Sequence, residues 1–356
     1  MTIPAAPLPG VVDLLRPLTA SPSNGAPWLA GRTGREVRFF SRGSAALAAA
    51  AVALRERPSG AWQVWLPEYF CEDALVPMRR LGIALKFYPV REDLSPDLPA
   101  NLDGPGAVVV VHYFGFPNLM DAVRAICRRT GLVLIEDAAH VLVPHDDIGC
   151  ESWVVYSPRK LLALPSAGIL ICPENTSNVL SYKDSTPSHA VSWIARRMIQ
   201  SALRTARLSW HRRSPHIPLP HDLACEVGVP SPYVLKLLAV NERRLDTVVR
   251  KRRENFLFLA ETIGNIPGCR PMHFGLPGGV CPYVFPLRVH DAGRVMGALQ
   301  SAGIPAYCWP NLPPEAGGKV ARLLATETVL LPVHQSLLPR EFELIRGALL
   351  STLGCR

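Results

Sequence analysis

Several features that would place this chain in a special class are missing from its sequence. No apolar run reaches the roughly 18 residues needed to cross a bilayer, and no secretory h-region is present. The nine cysteines form no CxxC pair and show no Cys/His spacing typical of zinc sites. The 35 prolines follow no period, which excludes a collagen-like or low-complexity array. These absences predict a cytoplasmic protein with reduced thiols, no metal site and no membrane span.

The composition is that of a globular protein. Of the 356 residues, 48% are apolar and 19% are charged, which excludes a disordered or fibrous chain. At about 150 residues per domain, the length predicts one large domain and a smaller one.

Positive charge is concentrated in one part of the chain. Residues 185–254 have a net charge of +8, against +9 for the whole chain. Within them, residues 191–208 predict a basic amphipathic helix. Its basic side has Arg196, Arg197, Arg204 and Arg207, and its apolar side has Val191, Ile194, Met198, Ile199 and Ala202. This helix either packs on the core with a solvated arginine face, or binds a diphosphate-bearing ligand or an acidic surface.

The first half of the chain alternates short β-rich runs with helical ones, which predicts an α/β domain with a mostly parallel sheet covered by helices. The predicted strands are 64–66, 85–89, 107–113, 132–136, 153–156 and 169–172. The predicted helices between them are 44–57, 71–81 and 119–130. We therefore expect a large α/β domain over residues 1–240.

A second region follows, with a different pattern. A long helix is predicted from Leu235 to Ile263. After it come strands at 283–289, 306–309 and 329–332 and helices at 292–302 and 339–350. Residues 241–356 therefore predict a connecting helix and a small C-terminal α+β domain.

The run from Leu132 to His140 places two carboxylates, Glu136 and Asp137, at the end of a buried strand. Ligands of open α/β sheets bind at this edge. Asp137 is either a helix N-cap or the partner of a cation, such as a protonated pyridine nitrogen, since a carboxylate leaving an apolar strand is costly to desolvate.

Lys160 follows the next predicted strand, in a proline turn flanked by apolar residues. Desolvation lowers the pKa of an amine, and a neutral amine can form a Schiff base with an aldehyde. A lysine in a turn is usually only solvated, so this interpretation depends on the residues that accompany it.

A small-residue turn, Gly43-Ser44-Ala45, opens an alanine-rich helix near the N-terminus. The free amides of such a first turn can hold a phosphate, although Gly-Ser before a helix is also ordinary capping. Together with Asp137 and Lys160, this turn supplies what a pyridoxal 5'-phosphate site requires: a phosphate cup, a pyridinium partner and a Schiff-base lysine.

These residues resemble motifs of the DegT/DnrJ/StrS aminotransferases, a branch of the fold-type-I pyridoxal-phosphate enzymes. Residues 42–47 (RGSAAL) resemble the SGTAAL phosphate turn, and residues 66–71 (LPEYFC) the VPSFTF segment. Residues 111–115 (VHYFG) resemble the PVHLYG strand end, and residues 135–140 (IEDAAH) the IEDAAQ motif. Residues 156–160 (YSPRK) are similar to the FSFYPGKN block, and residues 331–335 (LPVHQ) to the LPLHP element. The resemblance extends from about residue 38 to the C-terminus.

The resemblance implies roles for individual residues. Lys160 is the expected cofactor lysine and proton carrier, Asp137 the partner of the pyridine nitrogen, and His140 a neighbour of the phenolic oxygen or of the ring. Gly43, Ser44 and Ala45 are expected to bind phosphate. Val155 replaces the usual phosphate serine and Cys71 the usual stacking aromatic, so Ser157 and either Tyr69 or Phe70 are expected to substitute for them.

The implied function is transfer of an amino group from an amino acid to a keto-substrate, such as a nucleotide-linked keto-sugar, in a homodimer. One alternative is the same fold with divergent chemistry such as dehydration, although relatives of that kind replace the lysine with histidine. Another is a cofactor-binding, non-catalytic regulator or interaction protein that uses the basic residues 185–254 on nucleic acid or a membrane surface. A nucleic-acid partner is not expected, since no helix-turn-helix or RNA-binding motif is found.

Overall fold

The structure is a computed structural model that describes residues 3–21, 26–30, 35–55, 62–99, 102, 105–172, 187–205 and 228–354. It confirms the predicted α/β class through a large, mostly parallel sheet. Its strands are β1 (Glu36–Phe40), β2 (Gln63–Pro67), β3 (Ala84–Tyr88), β4 (Gly106–Val111), β5 (Val133–Ala138), β6 (Trp153–Tyr156) and β7 (Gly168–Cys172). Of these, β1 was missed by the sequence analysis.

The seven strands pair in the order β1-β7-β6-β5-β4-β2-β3. The strands from β3 to β6 in this order run parallel, while β7 runs antiparallel to both β6 and β1. The carboxyl ends of β2, β4, β5 and β6 therefore meet at one edge of the sheet. This is the edge at which the sequence analysis places Asp137 and Lys160.

Helices cover the sheet and explain its continuous apolar strands. Those of the first half are α1 (Val11–Leu15), α2 (Pro27–Ala30), α3 (Gly43–Arg55), α4 (Glu72–Arg80) and α5 (Asp121–Thr130). Helix α3 is buried from Ala45 to Leu54, because its alanines leave no side chain that would hold it away from its neighbours. Its N-terminus is thereby fixed at the carboxyl edge of the sheet.

The second half contains a small antiparallel sheet and its helices. The strands β8 (Arg270–Pro271), β9 (Val284–Arg288), β10 (Tyr307–Cys308) and β11 (Thr328–Pro332) pair in the order β10-β11-β9-β8. The helices are α6 (Pro187–Thr205), α7 (Pro232–Glu242), α8 (Leu245–Ile263), α9 (Ala292–Ser301), α10 (Lys319–Glu327) and α11 (Pro339–Leu353). Helix α10 and strand β8 were not predicted from the sequence.

The two sheets lie on either side of residue 240, where the sequence analysis divides the chain, and that boundary stays a prediction. The N-terminal residues nevertheless contact the second half. The Ile3 amide donates to the Gly303 carbonyl at 2.9 Å, and the Leu8 amide to the Ser336 hydroxyl at 3.0 Å. No helix within the described ranges is long and apolar enough to cross a membrane.

The prediction of one helix from Leu235 to Ile263 was wrong, because the chain breaks between α7 and α8 at Arg243 and Arg244. The apolar residues of α7 pack with the loop after Lys160, whereas those near the end of α8 pack into the main core. The hydrophobic period continues across the break, so the sequence shows no interruption.

Helix α6 confirms the predicted basic helix, and its two predicted faces hold in part. Ile194 and Met198 pack with the apolar residues around Leu161, and Arg196 is exposed, but other members of the two faces lie differently. Val191 is 64% exposed and Ile199 48% exposed. By contrast, Arg197 lies over the Trp193 ring, and Arg204 donates to the buried carboxylate of Glu341 at 2.9 Å. A helical wheel groups side chains without knowing where a partner such as Glu341 lies. Arg207 and the rest of residues 206–227 fall outside the described residues.

Gly168 has no side chain, and this allows β7 to pass close to the backbone at the start of α3. A Cβ at this position would lie 2.1 Å from the Arg42 carbonyl oxygen and 2.7 Å from the Gly43 nitrogen. We expect Gly168→Ala to lower the free energy of unfolding by about 1–3 kcal/mol, since backbone must move to admit the methyl group. Urea unfolding measures the change.

The matched control is Gly297→Ala within α9, where a Cβ would meet no atom within 4 Å. This variant should be neutral or more stable, because alanine favours a helix over glycine by up to about 1 kcal/mol. Equal effects of the two substitutions would contradict the close-approach explanation.

Buried histidines predict a stability that depends on pH. Burial lowers the pKa of His334, whose Nε2–H donates to the Pro4 carbonyl at 2.8 Å, to about 3. It also lowers the pKa of His273, stacked on Phe116, to about 4. Because the unfolded chain binds these protons near pH 6.5, stability is fully present above that pH and is lost as the pH falls towards the folded values.

We expect the free energy of unfolding to fall by about 2 kcal/mol per buried histidine between pH 7.5 and pH 5. His334→Gln should reduce this loss and His290→Gln, at an exposed position, should not. Urea unfolding at both pH values measures the difference. The same pH dependence in wild type and His334→Gln would refute the assignment.

Candidate active site

Two successive carboxylates at the end of β5 point to opposite sides of the sheet, because side chains alternate along a strand. Glu136 is fully buried and accepts hydrogen bonds from the Gly149 amide at 3.1 Å and from the Ser152 hydroxyl. His112 Nδ1 accepts from the Asn118 amide, so its Nε2–H donates to Glu136 at 2.9 Å. The Glu136 carboxylate therefore has a structural role, because all its hydrogen bonds join β5 to the loop before β6 and to His112.

Asp137 lies on the other side, at the carboxyl edge. Its Oδ1 accepts a hydrogen bond from the Ala139 amide at 2.9 Å. Burial raises the pKa of this carboxyl, while the positive charge of Lys160 opposes the increase. Asp137 and Lys160 are thus brought together, 23 residues apart in sequence, by the adjacent parallel strands β5 and β6.

Lys160 ends a 3₁₀ turn, Pro158–Lys160, that directly follows β6. Its amide donates to the Ser157 carbonyl at 3.0 Å, which closes the turn. Burial lowers the pKa of the amine, Asp137 opposes this effect and the neighbouring Arg159 adds to it. A lowered pKa makes a neutral, nucleophilic amine available, as the sequence analysis expects.

The first turn of α3 lies next to the 3₁₀ turn that contains Lys160. Gly43 begins the helix, and a Cβ there would lie 3.2 Å from the Ser157 Cβ. Ser44 is half-buried and Ala45 is buried. The hydroxyl of Ser157, whose side chain is 1% exposed, has no hydrogen-bond partner among the described residues. A buried hydroxyl without a partner beside free helix amides is arranged for an anion.

His140 is held between two rings. The Phe114 and Tyr283 rings lie parallel to it, with centroids at 6.1 Å and 4.7 Å. The Phe114 amide donates to His140 Nδ1 at 3.3 Å, and burial, together with the charge of Lys160, lowers the pKa of the imidazole well below its usual value. His140 is therefore neutral and carries its proton on Nε2, where it can donate.

The aromatic residues expected to stack on a cofactor have other described contacts. The Tyr69 hydroxyl donates to the Trp309 carbonyl at 2.6 Å, and its carbonyl accepts from Tyr113. Phe70 is buried in the main core. Cys71 interacts electrostatically with Lys160, and burial raises the pKa of its thiol. The stacking role of Tyr69 or Phe70 stays a prediction.

Sequence reasoning missed Arg252, which holds the lysine turn against the second half of the chain. This side chain on α8 is 1% exposed. It donates to the Leu161 carbonyl at 2.9 Å, to the carbonyls of Pro282 and Tyr283, and to the Gln335 side chain at 3.0 Å. It occupies the apolar stripe of α8 four residues after Val248, and this spacing was the available signal.

The residues present fit pyridoxal phosphate. The unpartnered Ser157 hydroxyl and the α3 amides suit its phosphate, and the Asp137 carboxylate suits its ring nitrogen. The amine of Lys160, whose pKa is lowered by desolvation, suits its aldehyde. Gly43, Ser44, Ala45, His140 and Ser157 all lie on elements that meet at this edge, and their binding roles stay predictions.

The segment around Asp137 resembles the sequences of known aminotransferases. A family model described as the DegT/DnrJ/EryC1/StrS aminotransferase family matches residues 103–147. This range contains β4, α5 and β5, and with them Asp137 and His140. The match confirms the resemblance predicted from the motifs.

Solved structures of similar fold cover nearly the whole chain. The sugar aminotransferase CalS13 from Micromonospora echinospora is 21% identical, with 98% of this chain and 99% of that chain covered and a TM-score of 0.67. The aminotransferase TlmJ from Streptoalloteichus hindustanus is 20% identical, with 99% of each chain covered and a TM-score of 0.70. Helicobacter pylori PseC, an aminotransferase of pseudoaminic acid biosynthesis, is 15% identical, covers 99% of this chain and 98% of its own, and has a TM-score of 0.69. These likenesses show the fold.

The Arg252 network predicts a large cost for a conservative substitution. Arg252→Lys keeps the positive charge but cannot reach the same four acceptors with one compact ammonium group. We expect the free energy of unfolding to fall by about 2–4 kcal/mol, since buried carbonyls lose their donors. Urea unfolding measures the change.

Arg253→Lys is the matched control. Its half-buried side chain donates to the carbonyls of Pro277 and Val280, and we expect a cost below about 1 kcal/mol. A cost for Arg252→Lys no larger than for this control would contradict the role assigned to the network.

Proposed function

We propose that this chain, which resembles the DegT/DnrJ/EryC1/StrS aminotransferases and has their fold, is a pyridoxal-phosphate-dependent aminotransferase. The observation that supports the proposal most directly is the convergence of Asp137, Lys160 and the first turn of α3 at the carboxyl edge of the large sheet. Each of the three matches one part of the cofactor.

Lys160 is the residue that holds the cofactor and moves the proton. Its lowered pKa makes the amine a nucleophile towards the cofactor aldehyde. With the cofactor and the amino donor bound, the Lys160 amine would be the group that carries the proton removed from the α-carbon of the donor.

Asp137 keeps a proton on the ring nitrogen of the cofactor. The carboxylate lies where burial would otherwise neutralise it, so a cationic partner stabilises its charged form. With that proton in place, bound pyridoxal phosphate supplies an electron sink for the negative charge that develops on the substrate carbon. His140, neutral and protonated on Nε2, is oriented by Phe114 to donate a hydrogen bond in the same site.

The acceptor proposed is a keto-sugar, in its nucleotide-linked form. The structural neighbours include a sugar aminotransferase and an aminotransferase of pseudoaminic acid biosynthesis, which supports a sugar acceptor. Retention of Lys160 argues against the dehydration alternative. No observation on the described residues favours the regulator alternative.

The proposed assembly is a cytoplasmic homodimer, as the resemblance implies. The seven cysteines of the described ranges are all free thiols, which agrees with a reducing compartment.

The proposed function predicts a lysine-linked cofactor. Purified protein incubated with pyridoxal phosphate should develop a visible absorption band, and borohydride reduction should fix the cofactor mass on the peptide that contains Lys160. Addition of glutamate should bleach the band. Lys160→Ala should show neither the reduced adduct nor bleaching, while Asp137→Asn should form the adduct but bleach at least about 100-fold more slowly.

Lys251→Ala is the matched control, because Lys251 is an exposed lysine on α8. It should behave as wild type does in both measurements. Absence of a visible band in wild type with excess cofactor would refute the proposed function. An adduct on a lysine other than Lys160 would refute the assignment of the residue.

A further inference from the structure

Two neighbouring helices, α1 and α6, present apolar side chains to solvent. On α1 and the 3₁₀ turn that follows it, Val12 is 62% exposed, Leu15 52% and Leu18 69%. On α6, Val191 is 64% exposed and Ile199 48%. Single exposed apolar residues are ordinary, but a group of them on adjacent helices indicates an interaction surface.

The buried sides of the two helices explain why these residues face outwards together. Leu14 of α1 is buried in an apolar cluster, and Ile194 and Met198 of α6 pack on the same cluster. The helices are also joined directly, since the Ser201 hydroxyl donates to the carbonyl of Pro9, just before α1, at 2.7 Å. Because both helices place their inner sides on one cluster, their outer sides belong to one surface.

The outer side of α6 is apolar along its length. Val191, Ala195, Ile199 and Ala202 are all exposed, and they recur at intervals of three or four residues, which keeps them on one side of a helix. We call these four residues, together with Val12, Leu15 and Leu18, the α1–α6 surface.

The charges around the α1–α6 surface are positive. Helix α6 has no acidic residue, and Arg196 on its outer side is exposed. The acidic residue of α1 is Asp13, which already pairs with Arg16 at 3.5 Å and with Arg244 at 2.6 Å. Within the described residues of the two helices, a partner therefore meets apolar side chains and arginines, and no unpaired carboxylate.

This combination argues against a second copy of the chain as the partner. In a twofold contact the same patch meets itself, so a positive surface would face a positive surface. An anionic partner matches the charge instead. Side chains that project from two helices, rather than line a groove, suit a fluid surface into which they can insert. Helix α6 is not apolar enough to cross a membrane, so it can only lie along one.

We propose that the α1–α6 surface docks this chain on an anionic lipid membrane. The apolar side chains insert at the level of the lipid headgroups, and the arginines pair with the lipid phosphates. Neither helix contains a residue of the candidate active site, so Lys160 and Asp137 keep their proposed roles on the membrane. The inference goes beyond the proposed function and does not depend on it.

The test measures binding of the full chain to lipid vesicles by co-sedimentation. Vesicles of phosphatidylcholine and phosphatidylglycerol in equal amounts are compared with vesicles of phosphatidylcholine alone. Wild type should bind the anionic vesicles at least about 10-fold more tightly, since each arginine near an anionic surface contributes roughly fivefold. Raising the salt to about 0.5 M should weaken this binding, because it screens the charges.

Variants locate the binding on the surface. Val12→Asp and Ile199→Asp each place a negative charge among the inserted side chains and should weaken binding to anionic vesicles by about 10-fold or more. Arg196→Glu should weaken it by about 10- to 30-fold, since the charge changes by two.

Two matched controls carry the same kinds of substitution to exposed positions outside the two helices. Leu119→Asp replaces a leucine that is 74% exposed, and Arg270→Glu replaces an exposed arginine on β8. Both should bind anionic vesicles as wild type does. Thermal unfolding of all these variants should match wild type, because every substituted side chain is exposed.

Three vesicle results would overturn the proposal: no binding of wild type to anionic vesicles, equal binding to both kinds of vesicle, or unchanged binding in the surface variants. Equal losses in the surface variants and the controls would also overturn it, because the net charge of the whole chain would then explain the binding. If Val12→Asp or Ile199→Asp dissociates an oligomer of wild type in sedimentation without lipid, the surface joins copies of the chain and the proposal is wrong. The visible cofactor band is measured separately, so failure of docking is distinguishable from failure of the proposed function.

Discussion

The cost of removing charged groups from water is the constraint on which this site depends. Lys160, Asp137 and Arg159 lie close together and are half-buried, and desolvation shifts the pKa of each towards its neutral form. The Asp137 and Lys160 charges partly compensate each other, whereas Arg159 lacks a partner within the described protein. Charged groups that are partly removed from water in this way are stabilised by neighbouring opposite charges and hydrogen bonds, which the surrounding fold must hold in place.

The surrounding structure holds the site through backbone contacts. Behind β5, the buried Glu136 ties His112 to the loop that ends at Ser152. From the other side, Arg252 ties the lysine turn to the segment before β9 and to Gln335. Both residues satisfy buried polar groups, so they link elements that share no local sequence. The geometry of Lys160 follows from these remote contacts.

Much of the first half could be predicted from the sequence, because its strands are short apolar runs and its site residues follow strand ends. The sequence predicted the large sheet and the helices α3 to α5. It also predicted that Asp137 and Lys160 follow strands that end at one edge of the sheet. The predictions that failed concerned helices whose course depends on contacts with residues distant in the sequence. The contacts of Arg204 and Arg197 in α6 depend on Glu341 and Trp193, and the break between α7 and α8 leaves the hydrophobic period uninterrupted, so periodicity reveals neither.

The sequence by itself determined the α/β class, the order of the motifs and the residue types of the candidate site. These depend on local properties: hydrophobic period, strand length and the chemistry of single side chains. Only the tertiary structure decided which charges meet, that Ser157 faces the first turn of α3, and that Arg252 is buried. Desolvation and hydrogen-bond pairing are set by neighbours distant in the chain, so no local pattern contains them.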